Sequence, residues 1–551
     1  MNNRWTRCVW LLLLGCTYAR AQALVPVTGV SPPEEVHCPI YHPPPPSEAG
    51  LALRAGDYAH AVALYRAVAA NTGQDEAAFA QSNSGLVDAL VAQGTSAEAV
   101  TVAFDALQRY SKNAVLLDAY GRVRLRRGEM GAAAIALYAA RGSDPCNARV
   151  HYDLARYLHL DADYASEQKE LQRAHSIEPD SAAITYELKK LSTTRKNALD
   201  DLNRRLAPRD LSPQTRSSLQ NSLDLLRVRD QGSCELLQPI KDVTIPLTSV
   251  GPTSNGMYAV AIDIALAGRR KRLELDTGAS GITLSRSAAK VAGVQQEAKM
   301  GITGIGDQGP SSVSLGHVAD IKIGSLELRN CLVEITDKTL LPDVDGSIGG
   351  DTFSSFVLTL DIPDRNLRLT QLPPSPDDEA SRPTPALLDT ESELMDHPPL
   401  HDRYIPAEMA TWTKAFRSGH KLYLATSING GQSRLFLMDT GSPGEALIAM
   451  DTAKEVASLS PSNSVVGGAN GEVNRVSTTE RIDLQFAGLR ENLRNVPVVN
   501  LGAVGIDGGS DVAGILGFGT LRNLVIKIDY RDSLVQLLYP HSEAERSSKP
   551  K

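Results

Sequence analysis

The sequence predicts a multidomain chain of the α plus all-β class, in which an N-terminal α-solenoid precedes a β-rich region of two similar lobes. Three observations predict this class. An Ala-rich segment repeats with a period of 34 residues, a strand-like alternation replaces it from Cys234 onward, and the tripeptide Asp-Thr-Gly occurs once in each half of the strand-rich part. At 551 residues, with 42% hydrophobic and 22% charged residues, the chain is long enough for about three or four globular units.

Composition narrows the classes of function. The formal net charge of −8 leaves no basic surplus to neutralise phosphates, so we expect no nucleic-acid partner. No run after the N-terminus approaches the roughly 20 apolar residues of a spanning helix, so we expect no membrane span. No Cys/His cluster has metal-ligand spacing, and the segment 304–309 matches GxGxxG without opening a helix of a βαβ unit. The sequence therefore predicts neither a metal nor a cofactor.

The N-terminal segment predicts export. Residues 1–21 are typical of a signal peptide, because a basic start is followed by a short apolar run and by an Ala-x-Ala cleavage signal that ends at Ala21. We then expect a periplasmic or secreted protein. The tetrapeptide that ends at Cys16 resembles a bacterial lipobox, and the alternative is a lipoprotein with its lipid anchor at Cys16.

Four cysteines remain after cleavage at Ala21, namely Cys38, Cys146, Cys234 and Cys331. An oxidising compartment permits disulfides, and four cysteines allow three pairings. Because Cys234 opens the first β lobe and Cys331 lies inside it, we expect these two to pair.

The α-solenoid is predicted from an internal repeat. Residues 114–147 and 148–181 are each 34 long, and the Asp-Pro at 144–145 recurs as Glu-Pro at 178–179. Small residues recur at the positions where two helices must touch: Gly121, Ala155, Ala140 and Ala174. The period and the helix-turn-helix unit resemble tetratricopeptide repeats.

The helical part is assigned to residues 48–231, after a Pro-rich spacer at 22–47. About four repeats cover 48–181, and the segments 182–206 and 212–229 are expected to cap the array. The resemblance implies a groove that binds a peptide or a protein partner. An array that only spaces the second half of the chain from the wall or membrane is an equal alternative.

The β-rich part divides at a linker. Residues 371–402 are acidic and Pro-rich, and they separate a first lobe at 234–370 from a second lobe at 403–540, while the tail at 541–551 is polar. A linker of about 30 residues reaches easily across one molecule, so we expect the two lobes of one chain to pair with each other.

Each lobe carries one Asp-Thr-Gly at the end of an apolar strand, beginning at Asp276 and at Asp439. One such tripeptide is weak evidence, because a chain of this length has roughly a one-in-ten chance of containing it. The two lobes, however, share the same spacing between their motifs. A glycine follows each Asp by 28 positions, at Gly304 and Gly467. A later strand ends in an apolar residue and a glycine, and that glycine precedes a further Asp by 12 residues in both lobes. Two tandem copies of one β lobe explain these spacings.

The arrangement resembles the aspartic peptidases. The motif Asp-Thr-Gly-Ala, the glycine-rich hairpin and the strand that ends in an apolar residue and a glycine are similar to a retropepsin-type lobe. Two lobes in one chain are the pepsin-like arrangement. The resemblance covers roughly residues 235–540. It implies a bacterial aspartic endopeptidase with a two-lobed aspartic-protease β fold that hydrolyses polypeptide substrates.

The resemblance implies a role for each motif residue. Asp276 and Asp439 form the catalytic pair, which shares one proton and activates a water. Thr277 and Thr440 are expected to cross-bond at the base of the pair. Further support of the pair is assigned to Gly278, Gly441, Ser280 and Ser442, and the flap to Gly304, Ile305, Gly306, Gly467 and Gly468.

The two motifs differ after the glycine, where the first lobe has Ala279 and the second has Ser442. A hydroxyl can stabilise a carboxylate, so we expect Asp439 to be the more acidic member of the pair. The alternative class of function is a non-catalytic envelope scaffold or peptide-binding protein, built from degenerate lobes and the repeats.

Overall fold

The computed structural model describes residues 36–71, 75–192, 195–230, 234–251, 256–302, 304–309, 311–338, 341–376, 402–502, 504–506 and 509–540. The predicted signal peptide with Cys16 and the tail at 541–551 lie outside the described residues, as do most of the spacer at 22–47 and most of the linker at 371–402. Among the described helices, none combines the length and the apolar character needed to cross a bilayer.

The first half of the described chain is helical. Its helices are α1 (Glu48–Arg54), α2 (Tyr58–Asn71), α3 (Glu76–Gln93), α4 (Ser96–Arg109), α5 (Ala114–Arg126), α6 (Met130–Ser143), α7 (Ala148–Leu160), α8 (Tyr164–Ile177), α9 (Ala182–Ser192), α10 (Arg195–Leu206) and α11 (Pro213–Asp230). Consecutive helices are joined by short turns, so neighbours along the chain pack side by side.

Matched helix ends accompany the 34-residue period. Asn113 and Asn147 precede α5 and α7, and each side-chain oxygen accepts a backbone amide of the first helical turn. Gly94 ends α3 and Gly128 lies in the turn after α5, with φ of +86° and +70°. Glycine adopts this left-handed conformation without strain, so the chain can reverse at the same point of successive helix pairs.

Small residues lie where the helices meet. A Cβ atom at Gly121 of α5 would lie 2.7 Å from Cγ of Leu137 on α6, and Ala140, Ala155 and Ala174 are fully buried. The segments expected to cap the array form α9, α10 and α11. Of these, α10 and α11 pack on each other around an apolar core of their own. At the end of α11, Val228 packs against the first β lobe.

The first β lobe contains β1 (Glu235–Leu236), β2 (Asp242–Val250), β3 (Ala259–Leu266), β4 (Arg269–Asp276), β5 (Ile282–Ser285), α12 (Arg286–Val291), β6 (Ala298–Ile302), β7 (Ser311–Ile323), β8 (Leu326–Thr336), β9 (Gly346–Gly349), a 3-10 turn (Gly350–Phe353), β10 (Phe356–Asp361) and β11 (Asn366–Gln371). The expected disulfide is confirmed, because Cys234 beside β1 is bonded to Cys331 of β8.

The second lobe follows the same order. A 3-10 turn (Ala407–Met409) leads into β12 (Thr413–Lys414), β13 (Phe416–Ser418), β14 (Lys421–Ile428), β15 (Arg434–Met438), β16 (Ala446–Ala449), α13 (Met450–Val456), β17 (Leu459–Ser462), β18 (Gly467–Gly468), β19 (Gly471–Glu472), β20 (Val476–Phe486), β21 (Leu489–Val499), β22 (Gly514–Leu516), α14 (Phe518–Leu521), β23 (Val525–Asp529) and β24 (Leu534–Leu538).

The lobes are joined by their closing strands. β10 and β23 pair antiparallel, with Leu358 opposite Ile528 and Leu360 opposite Ile526. The sheet therefore continues from β2 through β11, β10, β23 and β24 to β12. All four side chains are buried in one core shared by the lobes, so the two lobes of one chain pair with each other.

The helical region also packs directly on the second lobe, a contact that the sequence analysis did not predict. The guanidinium of Arg127, in the turn between α5 and α6, donates to both carboxylate oxygens of Glu455 on α13 at 2.8 and 2.6 Å. Arg403 donates to Asp161 in the turn after α7 at 3.1 Å. Two inter-helix turns thus hold the helical region on lobe two.

Candidate active site

Both Asp-Thr-Gly turns follow a buried strand. β4 ends at Asp276 and runs parallel to β9, and β15 ends directly before Asp439 and runs parallel to β22. The amide of Asp439 donates to the carbonyl of Leu516 at 3.0 Å, which extends the second pairing by one residue. Matching strand pairs therefore present the aspartate at the same point of each lobe.

The two threonines bond to each other's turn. The amide of Thr277 donates to Oγ1 of Thr440 and the amide of Thr440 donates to Oγ1 of Thr277, both at 3.0 Å. Each hydroxyl donates onward across the junction, Thr277 to the carbonyl of Met438 at 2.9 Å and Thr440 to the carbonyl of Leu275 at 2.8 Å. Because both threonines are buried, these four bonds hold the two turns in one relative position.

Each carboxyl group lies against the opposite turn. A Cβ atom at Gly278 would lie 2.6 Å from the carboxyl carbon of Asp439, and one at Gly441 would overlap the carboxyl of Asp276. Only glycine lets the turns approach this closely. Oδ1 of Asp276 accepts the amides of Gly278 at 2.8 Å and Ala279 at 3.1 Å, and Oδ1 of Asp439 accepts that of Gly441 at 2.8 Å. The structure thus brings both aspartates and both glycines together.

The electrostatics of the pair are asymmetric. Burial raises the pKa of both Asp276 and Asp439, and the two carboxyls share a hydrogen bond. The pKa of Asp439 is raised well above the usual value, because the charge of Asp276 adds to the effect of burial. At Asp276 the hydrogen bond from Asp439 lowers the pKa most, followed by the backbone amides of Gly278, Ala279 and Gly441, and these bonds oppose the effect of burial. The two carboxyls therefore share one proton, and the larger rise at Asp439 runs against the expectation that it is the more acidic member.

The two serines do not support the pair through their hydroxyls, which corrects the sequence-based roles. Oγ of Ser280 donates to Asp351 at 3.0 Å, and the amide of Gly281 donates to the same carboxylate at 3.0 Å. Ser280 therefore braces its own loop. The contact of Ser442 with Asp439 is made by its backbone amide, so the hydroxyl is not what distinguishes the two lobes.

The glycine-rich segments of the two lobes meet tip to tip. The first tip, between β6 and β7, holds Ile305, and the second is the hairpin of β18 and β19. The amide of Asn470 donates to the carbonyl of Ile305 at 2.9 Å, and the amide of Gln308 donates to the carbonyl of Asn470 at 3.0 Å. Two backbone hairpins thus hold each other across the lobe junction.

The predicted flap glycines allow this close approach. Side chains at these positions would meet the opposite tip: Gly304 faces Ala469, Gly306 faces the backbone of Asn470, and Gly468 faces Ile305. Gly467 instead pairs with Glu472 inside its own hairpin.

Three polar residues near the pair were not predicted as site residues. His420 of lobe two donates through Nε2 to the carbonyl of Gly278 at 3.2 Å, and burial lowers the pKa of His420 to about 3, so the ring is neutral. The carboxylate of Asp351 accepts a hydrogen bond from the hydroxyl of Ser280. Glu274 is a buried carboxyl two residues before Asp276. The one sequence signal was the acidic Glu274 between two leucines of an apolar strand.

No group of three or more potential metal ligands occurs among the residues that the structure describes. The residues gathered here are carboxyls, backbone amides and hydroxyls, which suits proton transfer to and from a bound water.

Comparisons with known proteins agree with the geometry of the first lobe. Residues 262–352, which include Asp276 and end before lobe two, match the model of a family described as aspartyl protease. The search of curated proteins finds no match.

Two solved structures cover parts of the chain. Basic 7S globulin from soybean is 13% identical over 56% of this chain and 97% of its own, with a TM-score of 0.31. A retropepsin-like aspartic protease from Rickettsia conorii is 17% identical over 25% of this chain and 92% of its own, with a TM-score of 0.18. Because residues 262–352 match this family, the chain contains an aspartic protease-like domain, and that domain follows a helical region.

Proposed function

We propose that this protein is an aspartic endopeptidase whose catalytic pair is Asp276 and Asp439. The observation that carries the proposal is the reciprocal bonding of Thr277 and Thr440, because it holds two buried carboxyls within hydrogen-bond contact of each other. Two carboxyls in such contact cannot both ionise at moderate pH, and one proton shared between them supplies an acid and a base at one point.

The asymmetry of the pair assigns the roles. Asp276, whose carboxylate is stabilised by backbone amides, removes a proton from a water as that water attacks the carbonyl carbon of the scissile peptide bond. Asp439 holds a proton and donates a hydrogen bond to the carbonyl oxygen, on which negative charge develops. The proton taken by Asp276 then passes to the leaving nitrogen, and an acid and an amine are released.

The meeting flap tips suit a polypeptide substrate. A chain bound over the pair would lie under the two hairpins, which exclude bulk water from the reaction. The bonds between Ile305, Gln308 and Asn470 must open for a chain to enter and can re-form over it. A chain that passes beneath both hairpins would extend beyond the pair on either side, which supports cleavage of internal bonds.

The helical region and the location complete the proposal. The 34-residue period supports tetratricopeptide-like repeats that bind substrate or a protein partner, and the contacts of Arg127 and Arg403 would hold that binding region next to the second lobe. The N-terminal segment supports export to the periplasm or beyond, with lipidation at Cys16 as the alternative.

The test compares the wild type with Asp276→Asn and Asp439→Asn, assayed on an unstructured protein from acidic to neutral pH. Asp320→Asn is the matched control, because its exposed carboxylate lies on β7 of the same lobe as Asp276. We expect cleavage by the wild type and the control and none by the other two variants, with all four folded by circular dichroism. A wild type that is inert at every pH, or an active dyad variant, would refute the proposal.

A further inference from the structure

One carboxyl beside the pair has no role in the reaction as described. Glu274 lies two residues before Asp276 on β4, and because side chains alternate along a strand, both point to the same face of the sheet. Leu273 and Leu275 point to the other face, into the lobe core. The Glu274 side chain is thus on the face that carries the catalytic carboxyl, about 7 Å along the strand from it.

Glu274 belongs to a polar row across this face. In register, its neighbours are Ala261 on β3 and Ser347 on β9, and Thr283 on β5 lies opposite Ser347. Ser347 and Thr283 are only half-buried, so the row borders accessible space. Oγ1 of Thr283 donates to Glu334 at 3.2 Å, which brings a second carboxylate to the end of the row.

The same row in lobe two is apolar. The matching registers of β14, β15, β22 and β16 place the following residues there: Tyr423, Leu437, Ile515 and Leu447. All four are buried in the apolar cluster that lobe two shares with the helical region. Leu437 precedes Asp439 by two residues, as Glu274 precedes Asp276, so the duplicated fold does not itself require a carboxyl at this position.

Among the residues that the structure describes, none donates a hydrogen bond to Oε1 of Glu274. The residue is 4% exposed, and its Oε1 is fully buried without a hydrogen bond. The nearest basic residues of the strand are engaged elsewhere, since Lys271 pairs with Asp345 at 2.8 Å and Arg272 lies 3.7 Å from Asp263. An unpaired buried carboxyl lowers stability, and a cation brought to it by a ligand would relieve that cost.

We propose that Glu274 is a specificity-determining residue that receives the ammonium or guanidinium group of a substrate lysine or arginine next to the scissile bond. The inference rests on the proposed function and names its substrate class. Burial, with the charges of Asp276 and Asp439, raises the pKa of Glu274 to about 9, so the empty subsite is protonated. When the cation enters, the Glu274 proton leaves to water and the carboxylate forms an ion pair. The apolar row of lobe two contrasts with this subsite, which makes the two halves of the site unequal.

The test uses the full chain as wild type, Glu274→Leu, Glu274→Gln and the control Asp320→Asn. Cleavage sites in a proteome-derived peptide library are mapped by mass spectrometry. Two synthetic peptides that differ only by Lys or Leu at the preferred position then give kcat and KM. Leucine copies lobe two, and glutamine keeps the size of Glu274 without its charge.

We expect lysine or arginine to be enriched at one flanking position for the wild type and the control. Both Glu274 variants should lose at least roughly 30-fold in kcat/KM on the lysine peptide, mainly through KM, and should keep activity on the leucine peptide. If the wild type cleaves without a basic preference, or Glu274→Gln keeps that preference, the inference fails while the peptidase stands. Equal losses on both peptides by Glu274→Gln would make Glu274 part of the catalytic step and also overturn the inference. If the wild type cleaves nothing, both proposals fall.

Discussion

Thr277 and Thr440 exchange hydrogen bonds across the lobe junction, each amide donating to the other's hydroxyl at 3.0 Å. Residues 163 positions apart in the chain thereby form one rigid support under two carboxyls. The symmetry of this support contrasts with the asymmetry of the site above it. Asp276 and Asp439 differ in the amides that reach them, and the position of Glu274 in lobe one is occupied by Leu437 in lobe two. The duplicated lobes thus share the threonine support, and they differ in the groups that surround the two carboxyls.

Removal of one support hydroxyl should weaken both folding and catalysis. In Thr440→Ala, the amide of Thr277 and the carbonyl of Leu275 lose buried partners. We expect the free energy of unfolding to fall by about 2–6 kcal/mol, at about 1–3 kcal/mol for each of the two unpaired groups. The kcat should fall by roughly 100-fold, because the carboxyls lose alignment. Urea unfolding and steady-state kinetics measure both, and Thr440→Ser, which keeps the hydroxyl, should recover most of each; full activity of the alanine variant would contradict this role.

The pH dependence of cleavage should follow the raised pKa values of the pair. In the proposed mechanism Asp276 is ionised and Asp439 is protonated, so activity should fall as the pH drops through the pKa of Asp276 and fall again as the pH rises through that of Asp439. Burial raises both values. We therefore expect both limbs of the kcat/KM profile to lie above about pH 4, the ordinary range of an aspartate. A profile with its optimum well below that value would show that the assignment of burial effects is wrong.

Much of the β region could be predicted, because it is a duplication. The matched spacings, from each Asp to a flap glycine and from the glycine of a later strand to a further Asp, predicted which segments of the two lobes correspond. Pairing of β10 with β23 and contact of the two flap tips then follow from bringing two copies together. Cys234 and Cys331 were predictable because both belong to the same lobe.

The rest depends on contacts that no local pattern contains. Arg127 and Glu455 lie 328 residues apart, so the docking of the helical region on lobe two left no periodic signal. The sequence favoured Asp439 as the ionised member because the hydroxyl of Ser442 was visible in the sequence, whereas the amides that reach Asp276 were not. Glu274 alternates with leucines as an exposed strand residue would, and only its burial shows that it is unusual.

The flap contact should depend on the absence of a side chain at Gly306. This residue has φ of +130°, and a Cβ atom there would overlap the backbone of Asn470. We expect Gly306→Ala to hold the tips apart, to raise KM and to lower kcat/KM by roughly one to two orders of magnitude, with little change in global stability. Gly301→Ala is the matched control, because a Cβ atom there meets no neighbour. Equal kinetics for the two variants would mean that the tips need not meet during turnover.

The stability of the chain should depend on pH through Glu274. The folded protein raises the pKa of Glu274 from 4.5 to about 9, so the native state binds this proton more tightly than the unfolded chain does. The stabilisation that this bound proton gives to the folded state is fully present below about pH 4.5 and is lost as the pH rises toward 9. Glu274→Leu should therefore be more stable than the wild type at neutral and alkaline pH, by about 1–3 kcal/mol. Thermal unfolding across this range measures the difference, and a wild type as stable as the variant at alkaline pH would show that Glu274 is partnered or hydrated.

Adjacent arginines allow a direct test of how the helical region is held on lobe two. The side chain of Arg127 is 8% exposed and pairs with Glu455 through two hydrogen bonds, whereas Arg126 is 45% exposed and pairs with a half-exposed Asp511 at 2.8 Å. Arg127→Ala removes two hydrogen bonds to the carboxylate of Glu455, which keeps Arg434 as its remaining partner, so we expect a loss of about 1.5–3 kcal/mol. Arg126→Ala should cost less than about 1 kcal/mol, because water screens an exposed pair. Urea unfolding should remain one transition for Arg126→Ala and separate into two for Arg127→Ala, as the helical region unfolds independently of the lobes; a single, equally stable transition for both variants would contradict a structural role for this contact.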